Sequence, residues 1–195
     1  MAVKRAMDVV LGTIGLVFAA PILVWAAVAM RLSGDRGPFL YRARRVGEGA
    51  ELFTILKVRT MTTDRGGSRL TLPGDPRVTK VGRTLRRYRL DELPQLINVV
   101  RGEMSLVGPR PEDPAYVDLS DPMHRRVFSA KPGITGLAQL AYRDEADLLG
   151  GSDAEQRYRD EILPAKLRLD AEYLDRRSTR LDLQILARTV AAVLR

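Results

Sequence analysis

Residues Val9–Met30 read "VVLGTIGLVFAAPILVWAAVAM", a run of 22 residues that contains no charged side chain. A helix of this length rises by about 33 Å, and the hydrocarbon core of a bilayer is about 30 Å thick. The stretch is therefore long enough to enter a membrane, whereas the rest of the chain is polar. We predict two parts: a membrane helix at residues 1–35 and a cytosol-facing domain with interfacial helices at residues 36–195.

The residues around this run allow three interpretations. A cleaved signal peptide would use Lys4 and Arg5 as its basic region and Ala27–Ala29 as its cleavage site, but its apolar core is usually only about 7–15 residues long. A spanning helix is normally basic at its cytoplasmic end, whereas arginines also follow this run, beginning at Arg31. A re-entrant helix enters one leaflet and returns, which places both basic ends on one face. Pro21 favours it, because proline removes a backbone donor and kinks a helix.

The composition limits the possible partners. The 195 residues carry a formal net charge of +8, which attracts anions such as nucleic acid, anionic lipid or a phosphorylated substrate. No cysteine is present, which excludes disulfides and thiolate metal sites. The single histidine, His124, lies in a polar run, where we expect it to be exposed to solvent. Aromatic residues make up only 6% of the chain, which together with the apolar run argues against a nucleic-acid-binding domain.

The polar part combines short strands with helices. "FLYRARRV" and "ELFTILKV" are apolar and β-branched stretches separated by Gly47–Ala50, a pattern typical of a β-hairpin. Helical spacing follows in "VTKVGRTLRRYR" and in "LDELPQLINVVRG", which Gly102 ends. An apolar stripe in the last helix faces the core or lies among lipid headgroups; its members are Leu183, Leu186, Val190, Val193 and Leu194. We predict an α+β fold with a re-entrant N-terminal membrane helix, a small β-hairpin and amphipathic helices packed at the membrane surface.

The stretch Arg89–Leu96, "RLDELPQL", places two adjacent carboxylates, Asp91 and Glu92, directly after a basic segment. One interpretation is structural: Asp91 would cap a helix, although Pro94 at the third helical position has no N–H to donate. The other is chemical. A carboxylate at a helix N-terminus near arginines is kept ionised and can act as an oxygen nucleophile. Two adjacent carboxylates also provide oxygen ligands for Mg²⁺, which bridges to substrate phosphates.

Residues Asp75–Pro111, "DPRVTKVGRTLRRYRLDELPQLINVVRGEMSLVGPRP", closely resemble the signature of the bacterial sugar transferases, the monotopic phosphoglycosyl transferases that use polyprenol phosphate. Five further blocks are similar in the same order: "KRAMDVVL", "GPFLYRARRVG", "FTILKVRTM", "KPGITGLAQL" and "YLDRRSTRLDLQIL". The resemblance covers essentially the whole chain. The length is similar to that of the small members, which consist of the catalytic unit only.

The resemblance implies a reaction and a set of site residues. A sugar-1-phosphate would move from a UDP-sugar to undecaprenyl phosphate, giving a polyprenol diphospho-sugar and UMP, with Mg²⁺ as the cofactor and residues 36–195 as the catalytic domain. Asp91 would be the nucleophile that carries the phosphosugar, and Glu92 would help to hold the metal or to move a proton. The cationic positions of the family, which would bind the substrate phosphates, fall on Lys57, Arg86, Arg110 and Arg143.

The resemblance also implies a location and leaves some features open. The family's re-entrant helix is kinked at a proline that matches Pro21, and its polar face lies at the cytoplasmic side of the bacterial inner membrane, in contact with lipid. The "AYR" of Ala141–Arg143 keeps the arginine but lacks the Asn-Gly that commonly precedes it in relatives. The segment Asp144–Glu155 is expected to be a loop that closes over the substrate, or a linker. A homodimer stays open, and a non-catalytic membrane scaffold is the remaining alternative, although it would not need the acidic pair.

Overall fold

A single long helix, α1 (Ala2–Leu32), contains the whole apolar run in the computed structural model, which describes residues 2–62, 70–150 and 153–193. Pro21 lies inside α1. The helix is long and apolar enough to cross a membrane, and only 17% of its most apolar 18-residue stretch is buried against the rest of the chain. Its exposed large apolar side chains are Val3, Val10, Leu11, Ile14, Val17, Phe18, Val24, Trp25, Val28 and Leu32.

Both ends of α1 contact the same polar domain. Near the N-terminus, the Arg5 guanidinium donates to the carbonyls of Val99 and Val100 at 2.6 and 2.8 Å. Near the other end, Ala26 is buried in an apolar cluster that also contains Leu85. A helix of 31 residues is about 46 Å long. Contacts at both of its ends therefore mean that α1 lies along the domain rather than extending away from it.

Hydrogen bonds and an ion pair hold the first turns of α1 against the polar domain. The buried Asp8 carboxylate accepts from the hydroxyl of Ser105 at 3.0 Å and from the backbone N–H of Leu106 at 2.9 Å. The Lys4 ammonium pairs with the Asp182 carboxylate at 2.7 Å. The residues that α1 buries recur every four or seven positions along one stripe: Asp8, Gly12, Ala19, Ala26 and Met30.

The predicted β-hairpin is confirmed. Strands β1 (Leu40–Val46) and β2 (Leu52–Val58) pair antiparallel, with Tyr41 opposite Lys57. The connection contains a short 3₁₀ turn, Glu48–Ala50. The hairpin places the Lys57 side chain on a strand that packs against the helices that follow.

Helices α2 (Lys80–Arg87) and α3 (Gln95–Arg101) lie where the periodicity predicts helix. The Thr79 hydroxyl caps α2 by accepting from the backbone N–H of Gly82 at 2.9 Å. Helix α3 ends at Gly102, which adopts φ +90°, a conformation that glycine reaches without steric cost.

Two short parallel strands, β3 (Ser105–Val107) and β4 (Gly133–Thr135), bring "VGPRP" and "KPGITG" together. Their backbones approach so closely that only glycine fits. A Cβ on Gly133 would lie 2.1 Å from the Gly108 nitrogen, and one on Gly136 would lie 2.4 Å from the Gly108 oxygen. These glycines therefore fix the path of the segment that carries Arg110.

The C-terminal half is helical. Its elements are α4 (Pro122–Phe128), α5 (Leu137–Ala141), α6 (Glu145–Leu148), α7 (Ala154–Arg157), a π-helical turn (Tyr158–Ile162), α8 (Leu163–Arg176) and α9 (Thr179–Val193). Helices α4 and α8 pack together over one apolar cluster, and α9 packs with α3 and β3 over another. Residues 151–152 of the predicted Asp144–Glu155 loop lie outside the described residues; α6 occupies its first part.

The core-facing interpretation of the apolar stripe in the last helix is wrong for two of its members, although Leu186 does pack against the core; the interfacial alternative stays a prediction. Asp182 and Ile185 are the buried residues of α9, whereas Leu183 and Val190 are 51% and 59% exposed. Helix α9 is rotated relative to the predicted orientation, because its Asp182 carboxylate faces the interior. There it accepts from the Lys4 ammonium and from the hydroxyl of Tyr173, each at 2.7 Å. The predicted stripe member Leu194 lies outside the described residues.

The expectation of an exposed histidine is also wrong. His124 lies in α4 and is 8% exposed. Its Nδ1 accepts from the backbone N–H of Asp118 at 3.2 Å, and its ring lies 6.0 Å from that of Phe128. This histidine therefore stabilises a local turn.

We predict that Gly133→Ala lowers the free energy of unfolding by about 3 kcal/mol, because the new methyl group would overlap the Gly108 backbone. Denaturant unfolding in detergent measures the change. Gly150→Ala is the matched control, since a Cβ on Gly150 meets nothing within 4 Å. Equal stabilities of the two variants would contradict the close approach of β3 and β4.

Candidate active site

The acidic pair lies in a 3₁₀ turn, Leu90–Glu92, between α2 and α3. The turn begins at Arg89, which adopts the left-handed conformation with φ +54° and so ends α2 abruptly. The interpretation of Asp91 as a helix cap is wrong: the N-cap position of α3 is Pro94, and no side chain caps it. The two carboxylates are therefore held by a tight turn whose conformation is uncommon for a residue other than glycine.

Glu92 forms an ion pair with Lys57 on the neighbouring strand β2, with 2.8 Å between Nζ and Oε1. The Glu92 side chain is only 13% exposed. Burial opposes its ionisation, yet the charges of Lys57 and Arg110 lower the pKa of the Glu92 carboxyl to about 2. Glu92 is therefore negatively charged at any physiological pH.

Asp91 has a different environment although it is the adjacent residue. Its side chain is buried, and within the described part of the chain no group donates a hydrogen bond to its carboxylate. Burial, followed by the charge of Glu92, raises the pKa of Asp91 against the opposing effect of Lys57. The sequence predicts the opposite direction, because it does not reveal the burial. Asp91 is the more basic carboxylate of the pair, which suits it to act as a nucleophile.

Arg110 acts electrostatically on Glu92. Its backbone N–H donates to the buried carboxyl group of Asp170 at 3.2 Å, which fixes the chain between its two prolines. Burial opposes the charge of the guanidinium, but the negative charges of Glu92 and Glu112 raise the pKa of Arg110. Among the described residues the guanidinium has no hydrogen-bond partner, so its donors are available to an anionic ligand.

Two further predicted cations differ in how they are held. The Arg86 guanidinium donates to the Thr60 hydroxyl at 2.7 Å, and burial lowers the pKa of Arg86 although Asp91 opposes this effect. Arg143 donates to the carbonyl of Ala192 in the last turn of α9. The structure thus brings Lys57, Arg86 and Arg110 into electrostatic contact with the acidic pair, whereas the Arg143 guanidinium holds α9.

Arg89 and the cluster behind Arg110 were not among the predicted site residues. Arg89 acts electrostatically on both carboxylates of the pair and donates to the Arg143 carbonyl at 2.5 Å. Behind Arg110, the buried Lys166 ammonium lies 2.8 Å from Glu112 and 3.0 Å from Glu145. A lysine and an aspartate in the apolar stretch "LPAKLRLD" are the sequence signal that could have revealed this cluster.

The donor set decides which metal could bind here. The described residues contain no group of three or more histidine, cysteine or carboxylate side chains that could hold a metal ion. Asp91 and Glu92 provide two hard oxygen donors, which suits Mg²⁺, because this ion is commonly held by one or two carboxylates together with substrate phosphates. The site therefore fits a metal that arrives with a phosphorylated substrate.

A cleft of about 220 Å³ begins at the acidic turn. Arg89, Glu92 and Arg143 line it together with residues of α3, α5 and the last turn of α9. Asp91, Lys57, Arg86 and Arg110 are not part of its lining, so the cleft adjoins the acidic pair through Arg89 and Glu92.

Comparison with known proteins gives a family match over the whole chain. The model of the bacterial sugar transferase family matches residues 1–195. The UDP-glucose:undecaprenyl-phosphate glucose-1-phosphate transferase of Caulobacter vibrioides is 41% identical over 98% of this chain and 69% of its own length. An enzyme of the same name from Escherichia coli is 38% identical over 96% of this chain and 39% of its own length. The UDP-N-acetylgalactosamine-undecaprenyl-phosphate N-acetylgalactosaminephosphotransferase of Aeromonas hydrophila is 34% identical, and the chain spans 44% of its length.

We predict that Asp170→Asn makes stability less dependent on pH. Burial raises the pKa of Asp170 to about 7, whereas an unfolded aspartate titrates near pH 4. The folded protein therefore keeps a proton that the unfolded chain releases, and wild-type stability falls as pH rises between these values.

The amide introduced by Asp170→Asn does not titrate in this range, so the stability of the variant relative to wild type should rise by about 2 kcal/mol between pH 5 and pH 7. Unfolding curves at the two pH values measure the difference. Asp175→Asn, at an exposed position of α8, is the control. Parallel pH profiles of Asp170→Asn and wild type would rule out the buried proton.

Proposed function

Because this chain belongs to the bacterial sugar transferase family, we propose that it transfers a sugar-1-phosphate from a UDP-sugar to undecaprenyl phosphate. The products are a polyprenol diphospho-sugar and UMP, and the reaction is the first membrane step of glycan assembly. The observation that carries the proposal is the pair Asp91 and Glu92, held in a tight turn and surrounded by cations. The names of the relatives support the nucleotide-sugar donor and the undecaprenyl phosphate acceptor.

Asp91 is the nucleophile in this proposal. Its oxygen attacks the sugar-proximal phosphorus of the UDP-sugar, the bond from that phosphorus to the bridging oxygen breaks, and UMP leaves with the bridging oxygen. The phosphosugar stays on Asp91 as an acyl phosphate until an oxygen of the acceptor phosphate attacks the same phosphorus and releases the carboxylate. The environments of the two acids support this assignment, because the carboxylate of Asp91, which has no ion-pair partner among the described residues, is more basic than the paired carboxylate of Glu92.

The cations reduce the repulsion between an anionic nucleophile and an anionic substrate. Arg110 offers unpaired guanidinium donors to the diphosphate, and Lys57 keeps Glu92 ionised beside it. Arg86 adds a partly buried charge near Asp91. Arg143, which matches a cationic position of the family, contributes from the α9 side of the cleft.

Magnesium is part of the proposal. Asp91 and Glu92 would hold Mg²⁺ together with the donor diphosphate, and the ion would neutralise charge that develops on the leaving phosphate. Among the described residues no third carboxylate joins these two in a metal-binding group, so we expect metal affinity to depend on bound substrate.

The contacts of α1 support the membrane arrangement that we propose. Both ends of the helix contact the polar domain, and its free side is apolar. A helix that crossed the bilayer would place its ends on opposite sides of the membrane, whereas Lys4 and Arg5 bind the same domain as Ala26 does. We therefore propose a monotopic enzyme on the cytoplasmic face of the inner membrane, with α1 re-entrant at Pro21 and in contact with lipid.

We predict that Asp91→Asn lowers the rate of UMP release by a factor on the order of 10⁴ or more, since an amide cannot form the acyl phosphate. The assay mixes the variant with UDP-sugars, undecaprenyl phosphate and Mg²⁺. Asp175→Asn should keep the wild-type rate. Turnover retained in Asp91→Asn would remove this residue from the role of nucleophile.

We also predict that both chain ends are cytoplasmic. The chain has no cysteine, so single cysteines introduced at the exposed positions Ala2 and Ala187 can be labelled selectively. A membrane-impermeant maleimide should label neither position in intact spheroplasts and both after lysis. Labelling of position 2 alone before lysis would support a spanning helix instead.

A further inference from the structure

The cleft beside the acidic pair is lined mostly by apolar side chains. Its wall contains Leu90, Leu93, Leu96, Ile134, Leu140 and Val193, contributed by the acidic turn, the start of α3, β4, α5 and the end of α9. The cleft has a volume of about 220 Å³. A nucleotide or a sugar, which needs hydrogen bonds along its whole length, would leave many of its polar groups unpaired against such a wall.

One end of the cleft is charged. The acidic turn contributes Arg89 and Glu92 to this end, and Arg143 is the third charged residue of the lining. Glu92 is also paired with Lys57 of strand β2. The Arg89 guanidinium donates one hydrogen bond to the Arg143 carbonyl. Its other N–H groups have no partner among the described residues. A phosphate bound at this end would therefore lie next to the pair that performs the chemistry, with an apolar path leading away from it.

The apolar wall is also the layer next to the membrane helix. Leu96, which lines the cleft, packs directly against α1 at Gly15, where a Cβ would lie 3.3 Å from its Cδ1 atom. The side of α1 that does not face the domain exposes Ile14, Val17 and Phe18. One side-chain layer therefore separates the cleft from the helix that we place in the lipid.

We propose that this cleft binds the first isoprene units of the polyprenyl phosphate acceptor, with the acceptor phosphate at Arg89. This inference rests on the proposed function and assigns its acceptor to a site. An apolar tail with a single anionic head matches a lining that is mostly apolar and that carries its positive charges on Arg89 and Arg143. The position of Glu92 in the same wall brings that head to the acidic pair.

The last turn of α9 is a wall of the same site. Arg143 bonds to the carbonyl of Ala192, and the hydroxyls of Thr135 and Thr189 bond to each other at 2.7 Å. These contacts hold Val193 over the cleft. Arg143 thus serves the acceptor site partly as a positioning residue, because it fixes the helix end that closes the cleft.

Leu140→Trp tests the proposal, because the larger side chain would fill the cleft from α5, whereas Asp91 lies outside the lining of the cleft. We expect the KM for undecaprenyl phosphate to rise by about tenfold or more. The donor half-reaction should stay within about twofold of wild type; it is measured without acceptor as exchange of labelled UMP into the UDP-sugar. Leu119→Trp, at an exposed position outside the cleft, is the matched control for both assays.

A second measurement does not depend on a folded variant. Wild-type protein is irradiated with a polyprenyl phosphate that carries a diazirine in its second isoprene unit, and the cross-linked peptides are mapped. We expect them to contain Leu93, Leu140 or Val193, and excess undecaprenyl phosphate should suppress the cross-links. Labelling confined to the free side of α1 would overturn the proposal.

The outcomes separate this inference from the function on which it rests. If wild-type protein shows no UMP exchange with any UDP-sugar, the proposed function fails. If exchange is normal and Leu140→Trp leaves the acceptor KM unchanged, the function stands and the cleft is not the acceptor site. An increase in the KM for the UDP-sugar instead would assign the cleft to the donor and equally overturn the proposal.

Discussion

The ion pair between Lys57 and Glu92 makes two adjacent carboxylates chemically different. Two acids next to each other in a buried turn repel, and a single nearby lysine can compensate only one of them fully. Glu92 forms the ion pair with Lys57 at 2.8 Å, and the pKa of Glu92 falls to about 2. Asp91 is left buried and without a hydrogen-bond donor among the described residues, and its pKa rises. The proposed assignment of Asp91 as the nucleophile and Glu92 as its charged partner rests on this division.

The position of the acidic pair depends on how α1 is attached. Helix α3 begins just after the pair, and α1 packs along α3 through Gly12 and Gly15, where the absence of side chains allows close contact. Arg5 adds charged hydrogen bonds to the end of α3. The turn that carries Asp91 is therefore held beside an apolar helix, which is where a reaction between a water-soluble donor and a lipid acceptor has to take place.

Local patterns predicted much of this structure, and long-range burial accounts for what they missed. Alternating β-branched residues and Gly102 were sufficient for the hairpin and for the end of α3, because such signals act within a few residues. The core-facing interpretation of the α9 stripe was wrong for Leu183 and Val190, because Asp182 is bound on the inner side by Lys4, a residue distant in sequence. The direction of the Asp91 pKa was wrong for a related reason: its nearest charges are visible in the sequence, but its burial is not.

Intact-mass analysis followed by peptide mapping tests the central claim most directly. The protein is mixed with a UDP-sugar and Mg²⁺ in the absence of acceptor, quenched and digested. The account predicts an added sugar phosphate on the peptide Arg89–Leu96, localised to Asp91, and its loss when undecaprenyl phosphate is added. A sugar phosphate on Glu92, or transfer to the acceptor without any protein-bound intermediate, would contradict it.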